Sequence, residues 1–373
     1  MTTESSLETK PNERLLSLDT LRGFDMLWII GGGSFLHALS KSTDWTWANI
    51  LSEQMHHVSW EGFRFEDLIF PLFMFISGVA IPFAITSKLE KGVSKQFITK
   101  KVLIRMIWLV VLGLVYNGAL KYGFRDMRVA SVLSQIGIAY FFAALIVINT
   151  KSIKPRIYWF VGILTGIAIL QNFIPVPGFG PGVITPEGSI NAWLDQHFLP
   201  GRFYDKTFDP EGILCIISAT TVTLSGTFAG YILRSKQYKP EKKALILMIA
   251  GSSLVIIALL LSPVYPIIKK NWTVPFNLLT AGISFLLLSV FYFIIDVKGL
   301  KKWTFFFRVI GMNSITIYLG VRIIDFRHSS EFLFGWLNNP LGDFGPVAII
   351  TGAIALEWLL LYYLYKNKIF LRV

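Results

Sequence analysis

The 373-residue chain is poor in charge: only 16% of its residues are Asp, Glu, Lys or Arg, while 53% are hydrophobic. Soluble domains carry about 25% charged residues, so the deficit points to a non-aqueous solvent. There is one cysteine, Cys215, which excludes an intrachain disulfide and a multi-cysteine metal site. No repeat of fixed period and no low-complexity tract interrupts the sequence, which speaks against a duplicated-transporter architecture. No cleavable signal peptide is expected, because residues 1–14 are polar and the first apolar run lacks a small-residue cleavage site.

What is abundant is aromatic and aliphatic: 31 Phe, 11 Trp and long apolar runs. About 20 mainly apolar residues cross a hydrocarbon core as a helix. Ten segments approximate this length, at 17–38, 67–86, 102–120, 130–149, 157–174, 212–233, 245–262, 276–295, 304–323 and 346–365. The expectation is an all-α integral membrane protein of about ten transmembrane helices. It comprises a cytoplasmic segment 1–14 and a single polytopic domain over 15–373. The net charge of +12 is not gathered into a nucleic-acid patch. Lys and Arg instead punctuate the short loops, about twice as many on the N-terminal side as on the other, which predicts both termini in the cytoplasm. The three longer connections, 39–66, 175–211 and 324–345, then lie outside, and functional groups concentrate there.

Ionisable residues inside spans need a reason, since each costs about 2.5–3.5 kcal/mol to insert. Asp19, Arg22 and Asp25 recur at i, i+3 in the first span, as a structural ion-pair ladder or as part of a site. His56, His57, Ser59, Trp60, Glu61, Arg64, Glu66 and Asp67 crowd the stretch before the second span. A histidine is the natural general base near neutral pH, although a lone loop histidine is more often plain surface. Adjacent histidines point apart in regular structure, and no further ligand pattern closes a coordination shell, so no metal is expected. Arg128 with Gln135 frames the start of the fourth span, and Asp209 and Glu211 stand just before the sixth. Asn271-Trp272-Thr273 sits at the mouth of the eighth, where the Trp reads equally as an interfacial anchor. Asn313-Ser314 falls inside the ninth, where interhelical hydrogen bonding is the plainer explanation.

Six motifs follow one another in order: Ser17-Leu18-Asp19-x-x-Arg22-Gly23; His57-x-Ser59-Trp60-x-Gly62; Asp67-Leu68-x-Phe70-Pro71 with Phe75-Ile76-x-Gly78; Arg128-x-x-x-Val132-Leu133-x-x-x-Gly137-x-x-Tyr140-Phe141; Asp209-Pro210-Glu211-Gly212; and Gly311-Met312-Asn313-Ser314-Ile315. Together they resemble the membrane-bound heparan-α-glucosaminide N-acetyltransferase family and its bacterial relatives, from about residue 14 to 320. The resemblance implies an acyltransferase that carries acetyl from acetyl-CoA, a cosubstrate, to a glucosamine-type amino group across the membrane. It assigns the proposed active-site histidine to His57 and not to His56, and it raises the expectation of a homodimer.

The sequence departs from that pattern where Ile29-Ile30 precede Gly31, where Gly320-Val321-Arg322 replaces a Gly-His-Glu, and in having only about 14 residues before the first span. These differences bear on the acceptor more than on the donor. On this reading His57 acts as general base or transient acetyl carrier, and Asp67 orients it. Trp60, Asp209, Glu211, Asn271 and Trp272 bind the sugar. Asp19, Arg22, Arg105, Arg128, Gln135, Asn313 and Ser314 hold the donor from the inner face outward. The bacterial inner membrane is the expected location, and a sugar or amino-sugar transporter is the alternative function.

Overall fold

A computed structural model of the protein describes residues 15–123 and 127–371. The segment 1–14, and with it Lys10 and Arg14 of the charge argument, lies outside the described residues, as do Arg125 and Arg372.

The described residues are helical, with two isolated bridges (Arg128 with Gly201, Val176 with Gly180) and no strand. In chain order the helices are α1 Leu16–Leu27, α2 Gly33–Ser42, α3 Thr46–Gln54, α4 Glu66–Ile81, α5 Ser87–Glu90, α6 Lys95–Tyr116, α7 Ala119–Tyr122, α8 Val132–Asn149 and α9 Ile153–Phe173. They continue as α10 Ile190–Phe198, α11 Ile213–Arg234, α12 Pro240–Leu261, α13 Val274–Tyr292, α14 Thr304–Met312, α15 Ser314–Ile323, α16 Phe326–Phe334, α17 Asn338–Leu341 and α18 Gly345–Lys366.

Every one of the ten predicted segments falls on helix. By length and composition, seven helices among the described residues suffice to cross a membrane, or eight if the bent pair α14–α15 is one span. The remaining two segments are helical but charged. Asp19, Arg22 and Asp25 interrupt the first, and α6, which carries the third, holds Lys95, Lys100, Lys101 and Arg105. The chain is thus a multi-pass membrane protein, its spans set by apolar runs that satisfy their own backbone.

α4 and α11 form the centre. Their crossing is backbone on backbone: a Cβ on Gly78 would stand 1.9 Å from the Thr223 carbonyl oxygen, and one on Gly226 2.1 Å from that of Phe75. Small residues at such crossings replace the hydrophobic drive that lipid cannot supply. Gly23 of α1 and Gly311 of α14 meet in the same way. On the periphery, Trp159 of α9, Leu260 of α12 and Leu359 of α18 stand exposed, as lipid-facing surfaces require.

Two helices break inside their spans. A π turn at Trp28–Gly32 separates α1 from α2, with Gly31 at φ 168°, ψ −14°. Asn313 separates α14 from α15 with a bend of 72°. The Ser17 amide donates to Asp296 Oδ2 at 3.2 Å, so the start of α1 and the end of the α13 span share one face. By alternation, the stretches 43–65, 175–212 and 262–273 gather on the other.

Candidate functional site

Between α3 and α4 the chain turns through residues 55–65, and this turn is pinned at both ends. Arg64 pairs with Glu53 of α3, and the Phe65 amide donates to Gln54 Oε1 at 3.2 Å. In its middle, Gly62 (φ 119°) donates to the Ile267 carbonyl at 2.9 Å, and Trp60 Nε1 donates to the Ile184 carbonyl at 3.0 Å. The indole of Trp60 also lies edge-on to Phe208. Trp60 and Gly62 together therefore tie three stretches of one face.

This anchoring sets His57 over the first turn of α4, where its Nδ1 lies 2.9 Å from Asp67 Oδ1. The imidazole is half exposed at 55%, whereas the carboxylate is 1% exposed. Asp67 Oδ2 accepts the Arg64 amide at 3.1 Å, which fixes the carboxylate's orientation. Lys269 completes the cluster, its Nζ 3.1 Å from His57 Nδ1 and 3.3 Å from Asp67 Oδ1. Burial lowers the Lys269 pKa, against the opposing pull of Asp67 and Glu66. Sequence reasoning treated Lys269 only as a loop charge. Its position directly before Lys270 and Asn271, a stretch already singled out, was the one available signal.

Next to this cluster stands a second one. The Arg128 guanidinium grips both oxygens of Asp209 at 2.6 Å each and also reaches Glu211. Its flat face lies over Tyr204, 4.9 Å from the ring centroid. Burial works against the guanidinium's charge, but Asp209 and Glu211 more than offset it and hold it protonated. Burial pushes Glu211 up to about 7, with Asp209 adding to the effect and Arg128 opposing it. Asp195, also unforeseen, accepts the Asp209 and Ile213 amides at 3.1 and 3.0 Å and so caps α11. Burial pushes Asp195 up to about 6.

A buried polar seam runs inward from here. Gln135 Nε2 donates to the Cys215 carbonyl at 3.2 Å, and Gln171 and Asn191 both donate to the Asn271 carbonyl. The side chain of Asn271 itself has no hydrogen-bond partner, nor do Gln135 Oε1 and Asn277 Oδ1. An unpaired buried polar group costs about 1–3 kcal/mol, so three together mark an interior shaped for something polar. Trp272 is neither at an interface nor open: it is 1% exposed, at φ 46°, with Phe70 and Phe276 edge-on to its ring.

The residues assigned to the donor are not brought together. Arg22 pairs with Asp19 on α1 at 3.3 Å. Arg105 stacks on Tyr140, 4.3 Å from its centroid. Arg128 belongs to the Asp209–Glu211 cluster at the opposite face. Asn313 donates to the Ile369 carbonyl at 3.1 Å, its Oδ1 is unpartnered, and Ser314 is buried beside it. Asp25 makes no ladder with Arg22 in the way its spacing suggested; both its oxygens are buried without a hydrogen-bond partner.

Comparison with known proteins adds relatives. Residues 14–171 match a family described as a domain of unknown function, DUF5009. Over 96% of its length the chain is 27% identical to the heparan-alpha-glucosaminide N-acetyltransferase of Mus musculus and 26% identical to that of Homo sapiens. The chain is a homologue of these enzymes. It spans about 60% of the length of the curated relatives it matches.

Proposed function

We propose that this homologue is a membrane N-acetyltransferase that moves acetyl from acetyl-CoA to the amino group of a glucosamine-type sugar. The observation that carries the reading is the His57–Asp67 pair at 2.9 Å, on the face where the anchored turn, the Arg128 cluster and the unpartnered Asn271 converge. The activity for which the curated relatives are named supports the reaction class.

Asp67 Oδ1 accepts from Lys269 and from His57 Nδ1–H, which leaves His57 Nε2 as the bare, outward nitrogen. Amine attack on the thioester forms the C–N bond and breaks the C–S bond. Nε2 takes the proton from the attacking nitrogen and returns it to the departing CoA thiolate. In the two-step route, Nε2 is acetylated first and the amine then takes the acetyl from it. Asp209 and Glu211 are drawn up by Arg128, and Trp60 is tethered; their part is to shape the acceptor side.

The donor's arm enters along a narrow apolar cleft among α1, α4, α8 and α15. Phe70, one turn beyond Asp67, and Ile315, two residues beyond Asn313, both line it. At about 40 Å³ the cleft is closed, so donor entry has to part these helices, and the bend at Asn313 supplies a joint. An inner-membrane location with both termini in the cytoplasm, and a homodimer, complete the proposal.

The deciding experiment is acetyl transfer by the purified protein in lipid, with acetyl-CoA and glucosamine, beside His57→Ala. Formation of N-acetylglucosamine by wild type, lost in a still-folded variant, is expected. Accumulation of unmodified glucosamine in vesicles without CoA would overturn the reading in favour of a transporter.

A further inference from the structure

A cavity of about 410 Å³ lies between the break in the first span and α18, within the range of ligand pockets of about 300–1,000 Å³. It shares no lining residue with the His57–Asp67–Lys269 cluster. Gly31 and Ser34 form one wall, Ile350, Ile354 and Glu357 of α18 another, and Arg322 of α15 stands with Asp325 toward the start of α16. Glu357 is twelve residues into α18, so about 18 Å from its start. It is 4% exposed, makes no hydrogen bond or ion pair among the described residues, and has Oε2 sealed without a partner.

An ionisable side chain at such depth is rare and faces either a partner or a functional cavity. Among the described residues no cation pairs with it: of the two arginines that line the cavity, Arg322 lies toward the Tyr116 ring, 5.7 Å from its centroid, and Arg327 pairs with Glu331 at 3.4 Å. Nor does a metal suggest itself, since no group of three potential ligands comes together among the described residues. At Gly31 the π turn approaches α18 closely, since a Cβ there would stand 2.6 Å from Ile354 Cγ1, and the cavity lies beside this contact.

We propose that this cavity is a second binding site, for a small amine whose ammonium group pairs with the Glu357 carboxylate and whose oxygen-bearing remainder reaches Arg322. An ammonium ion offers the charge and the donors that a buried carboxylate requires. Arg322 offers a complementary fork to hydroxyl or anionic groups. The site stands on its own geometry; only the choice of an amino sugar as probe rests on the proposed acetyl transfer.

A hydrophobic carbodiimide, which condenses with buried protonated carboxyl groups, tests this on the wild-type protein in lipid, with modification read at Glu357 by peptide mass spectrometry. Glu357 is expected to be labelled, and glucosamine at about ten times its Kd is expected to slow labelling about tenfold by mass action. N-acetylglucosamine, which lacks the ammonium group, is expected to leave the rate unchanged. Absence of labelling, or equal protection by both sugars or by neither, overturns the site. Acetyl-CoA is left out throughout, so a failure here and a failure of acetyl transfer are separate results.

Discussion

Nζ of Lys269 lies 3.1 Å from Nδ1 of His57, although 212 positions separate them in the chain. Both also lie within reach of one acceptor, Asp67 Oδ1, at 2.9 Å from Nδ1 and 3.3 Å from Nζ. The buried carboxylate is thus the organising member of the cluster. It holds the imidazole through Nδ1 and forms an ion pair with the lysine.

That relationship ranks two substitutions. Asp67→Asn removes the charge that both neighbours need, and is expected to lower kcat for acetyl transfer about a hundredfold or more, the usual worth of a positioned general base. Lys269→Met leaves the His57–Asp67 bond in place and is expected to cost less. Steady-state kinetics on both variants checks the order, and a Lys269→Met loss equal to that of Asp67→Asn would contradict it.

Glu211 makes stability depend on pH. Its pKa rises from 4.5 to about 7, so between those values the folded protein holds a proton that the unfolded chain releases. The stability contributed is complete below the ordinary value and is lost as pH rises through 7. The melting temperature of wild type should therefore fall from about pH 5.5 to about pH 8. Glu211→Gln, which stays neutral, should flatten that fall; an unchanged slope would place the titrating group elsewhere.

Arg128→Leu leaves Asp209, 0% exposed, and the buried Glu211 without a counter-charge. Removing one partner from such a cluster costs about 3–5 kcal/mol. Arg128→Lys should recover only part of this, because an ammonium cannot hold both Asp209 oxygens in one plane. Thermal unfolding of the two variants in lipid, monitored by circular dichroism, gives the comparison. Full stability in Arg128→Leu would mean that the cluster is water-screened.

The seam around Asn271 shows where local pattern stops being informative. In the sequence Asn271 and Trp272 read as substrate-facing residues at a helix mouth, the Trp alternatively as an interfacial anchor. The packing separates them: the asparagine side chain remains buried without a partner, while the indole fills the core between Phe70 and Phe276. Adjacent residues can point in opposite directions, and only the positions of α4 and α13 decide which way. Arg128 shows the same limit. Its basic charge suited a nucleotide, but Asp209, 81 positions later, takes it instead.

The sequence by itself determined the helical spans, since a run of apolar residues must form its own hydrogen bonds in lipid wherever its neighbours lie. It also put His57 and Asp67 ten positions apart in one polar stretch, but their pairing rests on the anchoring of that turn to Ile184 and Ile267. The tertiary structure alone decided that Lys269 joins them, that Arg128 turns to Asp209 and Glu211, and that Glu357 faces a cavity opposite Gly31. These contacts join residues tens to hundreds of positions apart, and their charges are settled only by how the helices pack.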